Sequence, residues 1–96
     1  MGKEKAMSGP MMGMDVQGVR SLAQLMNQRA DEIQQIAAQL TQSLDGAQWV
    51  GPDREQFVAD WKSHHMASIH AVVEALKHAA QMASQNAQQQ EDASRG

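Results

Sequence analysis

The chain has no cysteine and no tyrosine, and only three aromatic side chains, Trp49, Phe57 and Trp61, in 96 residues. Without cysteine there is no disulfide framework, no thiolate metal site and no cysteine nucleophile. The redox compartment therefore leaves no trace in the sequence. Positive charge is also in short supply. Eight Lys and Arg stand against eleven Asp and Glu, a formal net charge of −3, and the basic residues are scattered rather than clustered. Nucleic-acid-binding domains usually carry a basic patch, so no nucleic-acid partner is expected. No apolar run approaches the roughly 20 residues that span a bilayer, so no transmembrane segment is expected either. Met1 to Met14 carries Lys3 and Lys5 but no continuous apolar stretch, unlike a cleavable secretory signal. Export would need a route that reads something else.

What is present is helix-forming material: alanine, glutamine, leucine and methionine dominate. Residues 1–14 are rich in Met, Gly and Ser without periodicity and read as a disordered tail. Asp15 is a good N-cap. Beyond it, Val19, Leu22, Met26, Ile33, Ile36, Leu40 and Leu44 recur at steps of three, four and seven, which puts them on one helix face. Ala23, Ala30 and Ala37 run beside them in a straight row that permits close helix approach. Arg29 interrupts the stripe, either as a snorkelling stem with its head in solvent or as a charge that fixes register with a partner. The helix is expected over 15–45, with Gly46 as its left-handed terminal residue.

A turn over 46–52 leads to a second helix over 53–88. Its start is either Pro52 at the first helical position or a capping box of Asp53 and Gln56. The apolar positions of this helix are Phe57, Trp61, His65, Ile69, Val72, Leu76, Ala80 and Ala83. Residues 89–96 read as a flexible tail. Two long helices joined by a few residues must fold back on each other, so the predicted fold is all-α, an antiparallel helical hairpin.

Two helices touching along one line leave much of each apolar stripe in water. Burial at about 25 cal/mol per Å² along a single seam hardly offsets an ordering entropy of roughly 1.5 kcal/mol per residue. Pairing two hairpins into a four-helix bundle roughly doubles the interface, so a dimer, homotypic or heterotypic, is the expected form.

Reactive constellations are sparse. His70, Glu74 and His78 are spaced i, i+4, i+8 along one helix face, an arrangement that allows zinc ligation if the other helix supplies a third ligand. The sequence points to none, so no metal and no cofactor are expected. His64 and His65 diverge by about 100° and do not share an ion. His65, on the apolar face, is a candidate pH-sensitive element of a dimer. Gly9, Gly13 and Gly18 follow no strand and form no phosphate-cradling loop. Ser, His and Asp lie on two helices with no strained nucleophile turn. Enzymatic activity is not expected. Glutamine-rich polar faces, rather than Lys- and Arg-rich ones, give little support to membrane lysis.

One local feature carries a family resemblance. Trp49-Val50-Gly51 lies mid-chain between the two amphipathic helices and is followed by Pro52, Asp53, Phe57 and Trp61. Over about residues 15–90 the chain resembles the WXG family, the small early-secreted-antigenic-target-like substrates of type VII (ESX) secretion. The resemblance implies a helical hairpin that dimerises with itself or a co-encoded paralogue, engages the secretion ATPase and is exported without a cleavable signal. It also implies that the turn at Trp49 and Gly51 forms part of the export signal, beside the partner's C-terminal tail. Physically, Trp49 can bury its ring where the hairpin is thinnest, and Gly51 permits a turn closed to bulkier residues. Family export signals typically add Tyr-x-x-x-Asp/Glu after the second helix, and this tyrosine-free chain lacks it. Either a partner supplies the signal, the motif has diverged, or this member is not exported. An intracellular structural or adaptor hairpin is the other function compatible with the same bundle.

Overall fold

A computed structural model describes residues 14–95; most of the N-terminal tail lies outside them, and the described residues contain helices and no strand. Helix α1 runs over Val16–Gly46, α2 over Pro52–Asp60 and α3 over Met66–Arg95, with one π-helical turn, Trp61–His65, joining α2 to α3. The second arm is thus one continuous rod, and α1 folds back along α3 as the other arm of a hairpin. None of the helices is long and apolar enough to cross a membrane.

The Asp15 carboxylate accepts from the Gly18 amide at 3.1 Å, which satisfies one of the free donors of the first turn. A Cβ at position 18 would collide with that carboxylate, so the glycine leaves room for the cap. The expected left-handed end at Gly46 does not occur. Gly46 is the last helical residue, and Ala47 leaves the helix in an extended conformation (φ −70°, ψ 142°). The left-handed residue is instead Gly51, with φ +132°, at the N-terminal boundary of α2. Pro52 then occupies the start of α2, where a missing amide costs nothing. Gln56 donates to Asp60 rather than closing a capping box with Asp53.

The interior is made of small side chains. Among the described residues, Ala23, Ala30 and Ala37 on α1 and Val73, Ala80 and Ala87 on α3 are the buried ones. Both rows repeat every seven residues, the spacing that keeps one stripe facing a partner helix when two helices wrap. The ion pairs Arg20–Glu91 (2.8 Å) and Lys77–Asp31 (3.6 Å) set the antiparallel register and run Ala23–Ala30–Ala37 against Ala87–Ala80–Val73. A buried methyl contributes only about 0.8 kcal/mol. The gain from alanine is therefore close backbone approach and the dispersion that comes with it. α3 continues past the expected end at 88 because Ala87 is in the seam and Gln88 and Glu91 both accept from Arg20.

The result is a thin rod of 64 × 28 × 17 Å, with a radius of gyration of 20.6 Å, where a compact domain of this length would show about 12 Å. Ala30 is fully buried at the middle of the seam. Ala30→Leu should force the helices apart and cost about 1–3 kcal/mol of unfolding free energy. Denaturant titration followed by far-UV circular dichroism at one fixed protein concentration measures it.

Candidate functional site

The aromatic residues gather at one end of the rod. α2 makes little backbone contact with α1, so the space between α1 and the second arm opens toward the turn. Leu40, Ser43 and Leu44 from α1 and Phe57 and Trp61 from the second arm line a cavity of about 300 Å³ there, almost entirely apolar in its walls. Beside it, Trp49 packs against Phe57 in a tilted aromatic contact, with ring centroids 5.5 Å apart and planes 57° from parallel. Val50 is the most exposed large apolar residue among the described residues, at 95%. The turn therefore presents Trp49 and Val50 outward, held by Gly51 in a conformation that other residues adopt only with strain.

Trp61 is fixed by a hydrogen-bond relay. Its indole N–H donates to the Thr41 hydroxyl at 2.8 Å, and that hydroxyl donates to the Ala37 carbonyl at 2.8 Å. The indole's polar edge is thereby satisfied within the hairpin, leaving ring surface for the cavity wall. The π turn makes this geometry possible. The amide of Met66 reaches the carbonyl of Trp61, five residues back, which inserts one residue into the helical phase. After the insertion Met66, not His65, lies behind Trp61. Met66 packs beside Thr41, with sulfur and hydroxyl 3.7 Å apart, and His65 stays exposed against the outer side of Trp61, ring centroids 6.0 Å apart.

The two flanks of the hairpin differ in chemistry. Counting heptads from the alanine row, positions 20, 34 and 41 fall on one flank and positions 19, 26, 33 and 40 on the other. The first flank carries the Arg20–Glu91 bridge and the Trp61–Thr41 bond. The second carries the predicted stripe. Val19, Met26 and Ile33 on α1, and Ile69 and Leu76 on α3, are half-buried along its inner edge, and Leu44, also half-buried, continues the alanine row. Leu22, Ile36, Leu40 and Val72 stand outside them, between 46% and 55% exposed. Phe57, at 48%, continues the face to the tip. The inner seam of the hairpin is thus built from the small neighbours of the stripe, while its largest side chains meet water. Arg29 lies in the middle of this face and pairs with Glu32 of its own helix at 2.9 Å.

Thr41, Met66 and Val73 are structural members of this arrangement that the three- and four-residue apolar pattern passes over. Val73 and Ala87 are legible once the seven-residue spacing of Ala80 is followed in both directions. His70, Glu74 and His78 are exposed, and no group of three or more His, Asp or Glu is placed to hold a metal ion among the described residues.

Thr41→Val keeps the shape of the side chain and removes the acceptor. It should cost about 1 kcal/mol of stability and loosen Trp61, seen as a weakened near-UV circular dichroism signal, whereas Thr41→Ser should retain both. Compared with family models, with curated proteins and with solved structures, the chain matches none.

Proposed function

We propose that this chain is a small non-enzymatic protein of a type VII (ESX) secretion pathway, a helical-hairpin substrate that acts by protein–protein contact. The turn is the observation that carries the reading. Trp49-Val50-Gly51 projects from the tip of a two-helix hairpin, with Val50 almost wholly exposed and Gly51 at φ +132°. A recognition element needs such a rigid, accessible apolar surface, and a turn that merely closed a hairpin would do so more cheaply with its apolar residues turned inward. The long apolar flank supports the second half of the reading. Its natural occupant is another WXG-type hairpin, a second copy or a co-encoded paralogue, stacked into a four-helix bundle. The Trp49 and Gly51 turn then contributes to recognition by the secretion ATPase, and the folded bundle leaves the cell.

A second reading, an intracellular adaptor hairpin that only oligomerises, is favoured by one observation. The chain lacks tyrosine, and the segment where Tyr-x-x-x-Asp/Glu would stand is helical and held to α1 by the bonds from Arg20 to Gln88 and Glu91. The two readings part on destination. Expressed in a host with an intact type VII apparatus, the chain should accumulate in the medium. Accumulation should stop when the ATPase is inactivated, or with Trp49→Ala, while the intracellular level and helicity of the variant stay unchanged. Retention of the unaltered chain inside cells, alone and with any co-encoded hairpin, would rule for the adaptor.

A further inference from the structure

The tip holds a cavity and, one ring away, a side chain that fits it. Leu40, Ser43, Leu44, Phe57 and Trp61 enclose about 300 Å³ of nearly apolar space between the arms. A hollow of about 150 Å³ in a protein core accepts a benzene ring, so this one has room for an indole. Apolar walls left unfilled forgo dispersion contacts and stay open to water. Trp49 lies just outside, its ring 5.5 Å from that of Phe57 and still 39% exposed. Phe57 is thus a wall of the cavity on one side and a platform for Trp49 on another.

Hydrogen bonding favours the same move. Trp61 shows how this hairpin satisfies an indole, by donating its N–H to a hydroxyl on α1, that of Thr41. Ser43 offers a second hydroxyl of that kind, exposed in the cavity wall. Thr41 and Ser43 fall on opposite sides of Leu40 around α1, so the two acceptors do not compete for one ring.

The turn is able to carry the ring across. Its near end is tied by the Ala47 amide, 3.4 Å from the Leu44 carbonyl, and its far end by the Gly51 carbonyl, which accepts from Glu55 at 3.2 Å. Between these ties, among the described residues, the amides of Gln48, Trp49 and Val50 donate to no backbone carbonyl. Moving them breaks no ladder bond, and segments of that kind open and close at low cost. Gly51 and Pro52 keep the entry to α2 fixed, which confines the motion to residues 47–50.

We propose that the tip has two states and that Trp49 exchanges between them. In the open state its indole lies against Phe57 at the surface. In the closed state the indole fills the cavity between Phe57 and Trp61 and donates its N–H to the Ser43 hydroxyl. Closing buries apolar surface of the ring and of the walls, and it also orders the short strand that carries them. These opposing terms are of similar size, so both states are populated. The closed state withdraws Trp49 from the surface, and a partner that binds the turn draws the population to the open one. This rests on the reading of the turn as a recognition surface and adds the control of its availability.

The test is fluorine NMR of the full chain labelled with 5-fluorotryptophan, whose two signals are assigned with Trp49→Phe. The Trp49 signal is expected to be split or exchange-broadened between a form accessible to a soluble paramagnetic agent and a shielded one, while Trp61 gives a single signal. Ser43→Ala removes the acceptor and should lower the closed-to-open ratio about fivefold, the worth of one neutral hydrogen bond. Ser43→Leu also fills the cavity and should leave the accessible form alone. A single accessible state for Trp49 in the unaltered chain, or an exchange that either Ser43 variant leaves unchanged, would overturn the proposal. If the exchange is absent while Trp49→Ala still blocks export, the switch fails and the recognition reading stands. If the exchange is present and Trp49→Ala is exported normally, the two states stand and their role in recognition fails.

Discussion

Close approach of two helix backbones along rows of alanine is the constraint on which everything else in this molecule depends. The seam of Ala23, Ala30 and Ala37 against Ala87, Ala80 and Val73 holds the arms together. It does so with side chains too small to leave any remainder for other contacts. The large apolar residues cannot enter it, because a leucine at any of these positions would part the helices. They are displaced to one flank, and the ion pairs that bridge the seam occupy the other. A hairpin built this way is thin, long and two-faced, and its hydrophobic face is a product of its own packing rule.

The tip follows from the same geometry at the place where the rule stops. Beyond Ala37 the seam row of α1 carries Leu44 instead of alanine, and the arms part around Leu40, Leu44, Phe57 and Trp61. The π turn absorbs the mismatch. By inserting one residue between Trp61 and Met66, it lets the aromatic end and the alanine seam each keep their own phase. The cost is one widened turn, and it is offset by the Trp61–Thr41–Ala37 relay that locks the indole. The same parting of the arms leaves Trp49 against Phe57 at the surface and Val50 in water, so the tip is an exposed apolar surface.

Much of this was legible in the residues. Asp15 as N-cap and the hairpin itself follow from local chemistry, and the structure bears them out; of the two starts left open for the second arm, the chain takes Pro52. So does the alanine row on α1, whose seven-residue period is visible by eye. Three features were not legible, each for a physical reason. The left-handed glycine is Gly51, not Gly46, because the chain leaves α1 in an extended conformation and needs its unusual backbone only to enter α2. His65 falls off the apolar face because a π insertion depends on tertiary contacts that no periodicity reveals. The second arm outlasts its expected end because Arg20, distant in sequence, holds Glu91. In the last two cases a long-range contact decided what a local pattern left open.

We propose that another hairpin of the same kind, in the simplest case a second copy, covers the flank from Leu22 to Leu40. Folding would then be coupled to association, and stability would depend on mass action. Thermal unfolding measured from about 1 to about 100 μM tests this most directly. A Tm that rises steadily with concentration of the chain alone is expected. A Tm that stays constant across that range would contradict it.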